Sequence, residues 1–140
     1  SSKERTYKNF AILANILSQQ KHGKIVVICS VAGERGRMSN YVYGSAKSLL
    51  NIFLQGLGQR LARDNIEVLT VKPGFVVSPM TAQFAKNFMW AAPKDIAQGI
   101  VKTLHKKNKI YSSVYLPWFW QPIMFVIRCL PDFIFNKLRL

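Results

Sequence analysis

The chain is poor in cysteine, histidine and acidic residues. Its two cysteines, Cys29 and Cys129, each sit in an apolar run. Two thiols cannot build a disulfide scaffold, and both read as buried free cysteines. The two histidines, His22 and His105, are isolated and give no zinc-ligand spacing. There is no signal-peptide pattern, no internal repeat and no low-complexity segment. The chain opens in polar, helix-like sequence, as a chain cut from something longer would. Six Asp and Glu stand against 20 Lys and Arg, for a net charge of +14. Such a charge favours anionic partners but carries no fold information. The basic residues divide evenly, ten in 1–70 and ten in 71–140, so they cover a folded surface rather than a tail. The sequence shows no nucleic-acid motif, and its aromatics do not interleave with basic residues, which argues against nucleic acid as a partner.

What is present is a core. Apolar residues make up 49% of 140, enough for one small domain. The first 22 residues read as the end of a helix, with a weak capping box at Ser1-x-x-Glu4 and an apolar face of Phe10, Leu13, Ala14 and Leu17. Gly23 stands where a helix stop is expected. Lys24 to Cys29 is a β-branched run that suits a strand buried on both faces. A loop over 30–40 leads to a long helix from about Tyr41 to Arg63. Ile66 to Val71 reads as a second buried strand, broken by Pro73-Gly74. Pro93 opens a further helix to about His105, with Ile96, Ile100, Val101 and Leu104 on one side. Ile110 to Leu116 reads as a third strand.

Strands alternating with helices predict βαβ units on a parallel sheet with right-handed crossovers. Residues 1–116 form that unit, and 117–140 form an aromatic and basic tail with Arg128, Lys137 and Arg139. The longest uncharged stretch, Ile110 to Ile127, has the length of a short membrane span. Pro117, Gln121 and Pro122 argue against one. Two short amphipathic helices split at Pro131 fit better, either capping the core or lying in a membrane interface.

The chemistry concentrates in SVAGERGRMSNYVYGSAK, residues 30–47. Tyr43 and Lys47, four apart at the start of a helix, share a face. An adjacent ammonium and the helix N-terminus both favour the phenolate, which suits acid/base work on a carbonyl/alcohol couple. Tyr41 is a decoy, because Ser45 rather than a lysine stands four residues on. Ser30 follows a predicted strand, at the edge where ligands of open α/β sheets bind. Its hydroxyl is placed to share charge on a substrate oxygen.

A serine 13 residues before Tyr-x-x-x-Lys resembles the catalytic segment of the short-chain dehydrogenases/reductases. Pro73-Gly74 followed by Val76 and Ser78 resembles that family's P-G-x-V-x-T segment beside the nicotinamide, with Ser78 in the place of Thr. The resemblance covers Gly23 to the C-terminus. It implies an α/β fold, the C-terminal half of a Rossmann-like doubly wound parallel sheet with about three strands, the N-terminal strands being absent. Catalysis would rest on Ser30, Tyr43 and Lys47, and cofactor contacts on Tyr43, Lys47, Pro73, Gly74, Val76 and Ser78. The cofactor would be NADP or NAD, with the basic charge leaning toward NADP. The phrases GERGRMSNYVYGSAK and VKPGFVVSPMT, with the tail, look like a bacterial subgroup acting on a lipid-linked sugar. That implies a carbonyl/alcohol substrate, peripheral membrane contact through the tail, a cytoplasmic place at the inner membrane face, and a homo-oligomer at full length. The family's T-G-x-x-x-G-x-G turn does not occur here. About a hundred preceding residues are therefore expected to be missing, and the 140 residues alone to be inactive. The family's catalytic asparagine would fall near Ser1–Ser2 and is not assigned. Gly56 and Gly58, inside the long helix, are expected at a close helix contact, as at a dimer face. The competing reading is a non-catalytic membrane-surface or interaction module on the same fold remnant.

Overall fold

A computed structural model describes residues 2–106 and 111–138. Helix α1 (Ser2–Gln20) leads to strand β1 (Gly23–Ile28), a 3-10 turn at Val31–Gly33, and helix α2 (Tyr41–Ala62). Strand β2 (Ile66–Pro73), the short β3 (Phe75–Val76), a turn at Pro79–Thr81 and the short β4 (Trp90–Ala91) follow. Helix α3 (Pro93–Leu104), strand β5 (Tyr111–Leu116), and helices α4 (Trp120–Cys129) and α5 (Asp132–Phe135) complete the order, ending in a 3-10 turn at Asn136–Leu138. Strands β1, β2 and β5 form a parallel sheet in the order β1-β2-β5, with Val27 opposite Thr70 and Val71 opposite Val114. The fold is α/β, as the alternation of strands and helices predicts.

The alternating side chains of β2 separate two cores. Ile66 and Val68 pack with Ile25, Val27, Ala14 of α1 and Leu54, Leu57 and Leu61 of α2. Leu69 and Val71 pack on the other face with Ala91 and Ile96. Every residue of β2 but Glu67 is buried, as expected of a central parallel strand. β1 is different. Ile25 and Val27 are buried, whereas Lys24 and Ile28 are exposed. The run is thus buried on one face only, because β1 is an edge of the described sheet and α3 reaches little beyond Val26.

Other expectations need correction. β2 runs through Pro73 and stops before Gly74, since a proline at a strand end costs the ladder little. At the end of α1 the left-handed residue is Lys21 (φ 62°), and Gly23 already begins β1. Leu13 and Val101 are exposed, because the buried stripes of their helices are narrower than the sequence pattern. Gly56 faces open space, so no contact within the chain explains it. Cys29 is buried but Cys129 is exposed on the outer side of α4. Ser1, Ile110 and Arg139 lie outside the described residues.

The turn between α2 and β2 is tied back to α1. Asp64 accepts hydrogen bonds from Lys21 and Ser18, which hold its carboxyl below the usual carboxylate range. Across the first strand pair, Lys24 meets Glu67 at 2.8 Å and donates to the Leu104 carbonyl at 2.9 Å. The tail folds as two short helices. Trp120 and Met124 are buried against Val31, and Phe135 is buried as well, so the tail caps the C-terminal edge of the sheet. Among the described residues no helix is long and apolar enough to cross a membrane.

Leu54 is fully buried between α2 and the sheet. Leu54→Ala should therefore lower unfolding stability by about 2–5 kcal/mol in urea melts. The same change at exposed Ile52 should stay within about 0.5 kcal/mol.

Candidate active site

The end of β1 and the start of α2 are forced together. Beyond Ile28 the strand ladder continues one step, as the Cys29 N–H donates to the Val71 carbonyl at 2.7 Å. Ser30 then caps the 3-10 turn, its Oγ accepting from the Ala32 N–H at 3.1 Å. Behind it, the Cys29 thiol donates to the Lys47 carbonyl at 3.3 Å, and burial pushes that thiol's pKa up. Two glycines permit the approach. A Cβ on Gly33 would lie 2.7 Å from the Lys47 carbonyl carbon, and one on Gly44 would lie 2.8 Å from the Ala32 oxygen. The backbones touch, which leaves no room for a side chain between them.

This contact places Ser30 and Tyr43 on one cavity of about 770 Å³. Gly74 and Val76, from the end of β2 and from β3, line the same cavity. Lys47 stands one turn behind Tyr43, with Nζ 5.6 Å from the centre of the phenol ring, and is not a lining residue. Pro73 and Ser78 also lie outside the lining. Ser78 instead caps the Pro79–Thr81 turn. Its N–H donates to Thr81 Oγ1 at 3.0 Å, and that hydroxyl donates to the Val76 carbonyl at 2.9 Å.

Thr81 therefore lines the cavity and braces β3, a role the sequence pattern had not suggested. Arg37, Asn40, Phe75, Phe84, Asn87 and Trp90 also line it without having been singled out. A clue to some of them was the run of aromatics in the irregular stretch after Gly74. Phe75 stacks on Trp90 at 5.2 Å, and Phe84 stacks on the same ring at 6.5 Å. The result is an aromatic wall facing a polar rim of serine, asparagine and arginine. Among the described residues no group of His, Cys, Asp and Glu could hold a metal ion.

A parallel α/β sheet with a cleft at the carboxyl ends of its strands is the arrangement of the open α/β folds, which bind their ligands at that edge. Residues 7–88 match the family model of the short chain dehydrogenases, and the chain belongs to that family. It is 33% identical over 126 residues to an uncharacterized oxidoreductase of Mycobacterium tuberculosis, covering 90% of this chain and 49% of that protein. It is 34% identical over 122 residues to an uncharacterized oxidoreductase of Streptomyces coelicolor, covering 87% of this chain and 47% of the relative. The chain thus spans about half the length of the curated relatives it matches. In fold it is similar to a short chain dehydrogenase from Burkholderia cenocepacia solved in complex with NADP. That similarity has a TM-score of 0.71 at 17% identity and covers 85% of this chain and 48% of the other.

The close approach gives a direct test. Gly33→Ala must push the turn away from α2 and should cost roughly 1–3 kcal/mol in urea melts. Gly36→Ala, where a Cβ meets nothing within 4 Å, should be near neutral. Equal effects of the two would contradict the packing described.

Proposed function

We propose that the chain supplies the catalytic half of an NAD(P)-dependent oxidoreductase acting on a carbonyl/alcohol couple. The observation that carries this reading is the shared cleft of Ser30 and Tyr43, with the Lys47 ammonium 5.6 Å from the phenol ring. In the reduction direction Tyr43 gives its hydroxyl proton to the substrate oxygen. Ser30 already accepts from Ala32 N–H, so its own hydroxyl proton is left to donate to that oxygen and share its charge. The positive charge of Lys47 stabilises the phenolate that remains, and its ammonium would hold the ribose hydroxyls of the cofactor. A reduced nicotinamide, when bound, supplies the hydride.

The cleft's volume of about 770 Å³ is large enough that it would accept a nicotinamide ribose beside a small substrate. Its wall of Gly74 and Val76, braced by Thr81, would present backbone groups to a carboxamide. Pro73 and Ser78 act behind that wall, one ending β2 and the other shaping the turn that carries Thr81. The sequence holds no Gly-rich turn for the pyrophosphate, so the purified 140-residue chain should not oxidise NADPH with a carbonyl substrate. NADP suits the basic chain better than NAD. In the full-length protein, Tyr43→Phe and Ser30→Ala should each lower kcat about 100-fold or more in a coupled NAD(P)H absorbance assay. A wild-type rate in Tyr43→Phe would overturn the reading.

We further infer a bacterial enzyme similar to the decaprenylphosphoryl-keto-pentose reductases, with residues 1–116 as the catalytic unit and 117–140 as a tail. Its substrate would be a lipid-linked sugar, and its place the cytoplasm, at the inner face of the membrane. The aromatic wall of Phe75, Phe84 and Trp90 supports an apolar substrate portion. Exposed Trp118, Phe125 and Phe133 beside Arg128 support tail contact with an anionic bilayer. Exposed Ile12, Ile16, Leu49 and Ile52 on α1 and α2 support a homo-oligomer. The exposed tail is also what favours the second reading, a membrane-surface module without catalysis. Intact protein should float with phosphatidylglycerol vesicles and protein ending at residue 116 should not. Equal flotation would remove the tail as an anchor.

A further inference from the structure

Acidic residues are scarce in this chain, and one of them is buried at the edge of the site. The Glu34 side chain is 3% exposed. A carboxylate in that position is costly unless it is paired and hydrogen-bonded. Three groups from three elements meet it. Lys72 of β2, itself 7% exposed, lies 2.7 Å from Oε1. The Tyr115 hydroxyl of β5 donates to the same oxygen at 2.6 Å. Arg128 of α4 stands 3.6 Å from Oε2. Lys72 and Tyr115 are register partners in the sheet, so Glu34 is fixed to a rigid edge.

The next residue reaches the opposite way. The Arg35 guanidinium donates to the carbonyls of Ile127 and Leu130, which end α4, and to Asp132 Oδ1 at 2.8 Å. It also lies 3.9 Å over the Phe135 ring of α5. Two consecutive residues thus join the sheet edge on one side and the tail on the other. Their place in the chain gives this its meaning. Ser30 caps the front of the 3-10 turn and Glu34 closes its back, with the Glu34 N–H donating to Val31. The tail in turn packs Trp120 and Met124 on Val31. Trp120 also fills the space beside Gly74, where a Cβ would lie 2.0 Å from the indole. The tail therefore touches both cleft walls, the one with Ser30 and the one with Gly74.

We propose that Glu34 and Arg35 are positioning residues, a polar clip by which the C-terminal helices α4 and α5 hold the Ser30 turn against the cleft. The proposal rests on the reading of Ser30 given above. The Arg35 contacts lie outside the core between α1, α2 and the sheet, so loosening them frees the turn while the central strand stays folded. Arg35 suits the task because a planar guanidinium bridges two carbonyls, a carboxylate and an aromatic face at once, which an ammonium cannot.

The test uses the full-length protein with Arg35→Ala, Arg35→Lys and Glu34→Gln. Steady-state kinetics are measured together with hydrogen exchange of the Ala32 and Gly33 amides, with residues 68–71 of β2 as the internal reference. Arg35→Ala should lower kcat about 10- to 100-fold, the scale of a 1 Å misplacement, with the cofactor KM unchanged. Ala32 and Gly33 should exchange at least about tenfold faster while residues 68–71 do not change. Added guanidinium ion should restore part of kcat to Arg35→Ala, and Glu34→Gln should shift kcat and exchange in the same direction. If Arg35→Ala does not fold, Arg35→Lys, which keeps stem and charge, carries the same two readouts. Unchanged kcat and unchanged Ala32 exchange would overturn the clip. So would a loss of kcat accompanied by faster exchange throughout β2, which marks general loosening. Ser30→Ala and Tyr43→Phe run in parallel. Full activity in those two overturns the site reading, whereas their inactivity beside fully active clip variants overturns the clip alone.

Discussion

The structure turns on one close backbone contact, between the turn after β1 and the first two turns of α2. Gly33 and Gly44 are the two positions where a side chain would collide with the other segment's backbone. The Cys29 thiol adds a third tie to the Lys47 carbonyl. Everything the cleft offers follows from that contact. It sets Ser30, just past the end of β1, and Tyr43, on the first turn of a helix, on one cavity. Neither segment alone has the geometry. A strand end gives direction, a helix start gives a fixed face, and the absence of two β-carbons brings them within one cavity.

The second organising feature is the way charge is spent in a strongly basic chain. Among the described residues most Lys and Arg face water. At the carboxyl edge of the sheet the pattern reverses, and a buried Glu34 gathers Lys72, Tyr115 and Arg128. An acidic residue in the interior of so basic a protein has many cations to choose from, and it takes Lys72 of β2 and Arg128 of α4, with the Tyr115 hydroxyl of β5 donating beside them. The tail helices are thereby part of the wall around the cleft rather than an appendage. Trp120 packs edge-on against Phe75 at 5.1 Å, so the tail and the aromatic wall are continuous.

The same sheet is unequal between its centre and its β1 edge. β2 is enclosed on both faces, with Val68, Leu69 and Val71 fully buried. β1, at the sheet edge, leaves Ile28 56% exposed. An uncovered edge strand next to an apolar surface is a pairing site. The matched relatives are about twice as long as this chain, which agrees with a sheet that other strands would extend.

Much of the fold was legible in the sequence because periodicity and composition act locally. β-branched runs gave β1 and β2, Pro93 gave the start of α3, and Pro131 divided the two tail helices, whereas the short β3 and β4 fell in a stretch that read as irregular. The spacing of Ser30, Tyr43 and Lys47 picked out the segment on which the cleft is built. Tertiary packing decided the rest. Nothing in a β-branched run tells whether its second face is covered, so β1 read as fully buried. Cys129 and Val101 looked like core residues because short amphipathic helices leave apolar side chains outside wherever no neighbour arrives. Thr81, Phe84 and Trp90 joined the cleft through the path of an irregular segment, for which no repeat exists to read. Glu34 lies in the stretch over 30–40 that read only as a loop. Its burial depends on partners 38, 81 and 94 residues away, and only the folded chain brings those together.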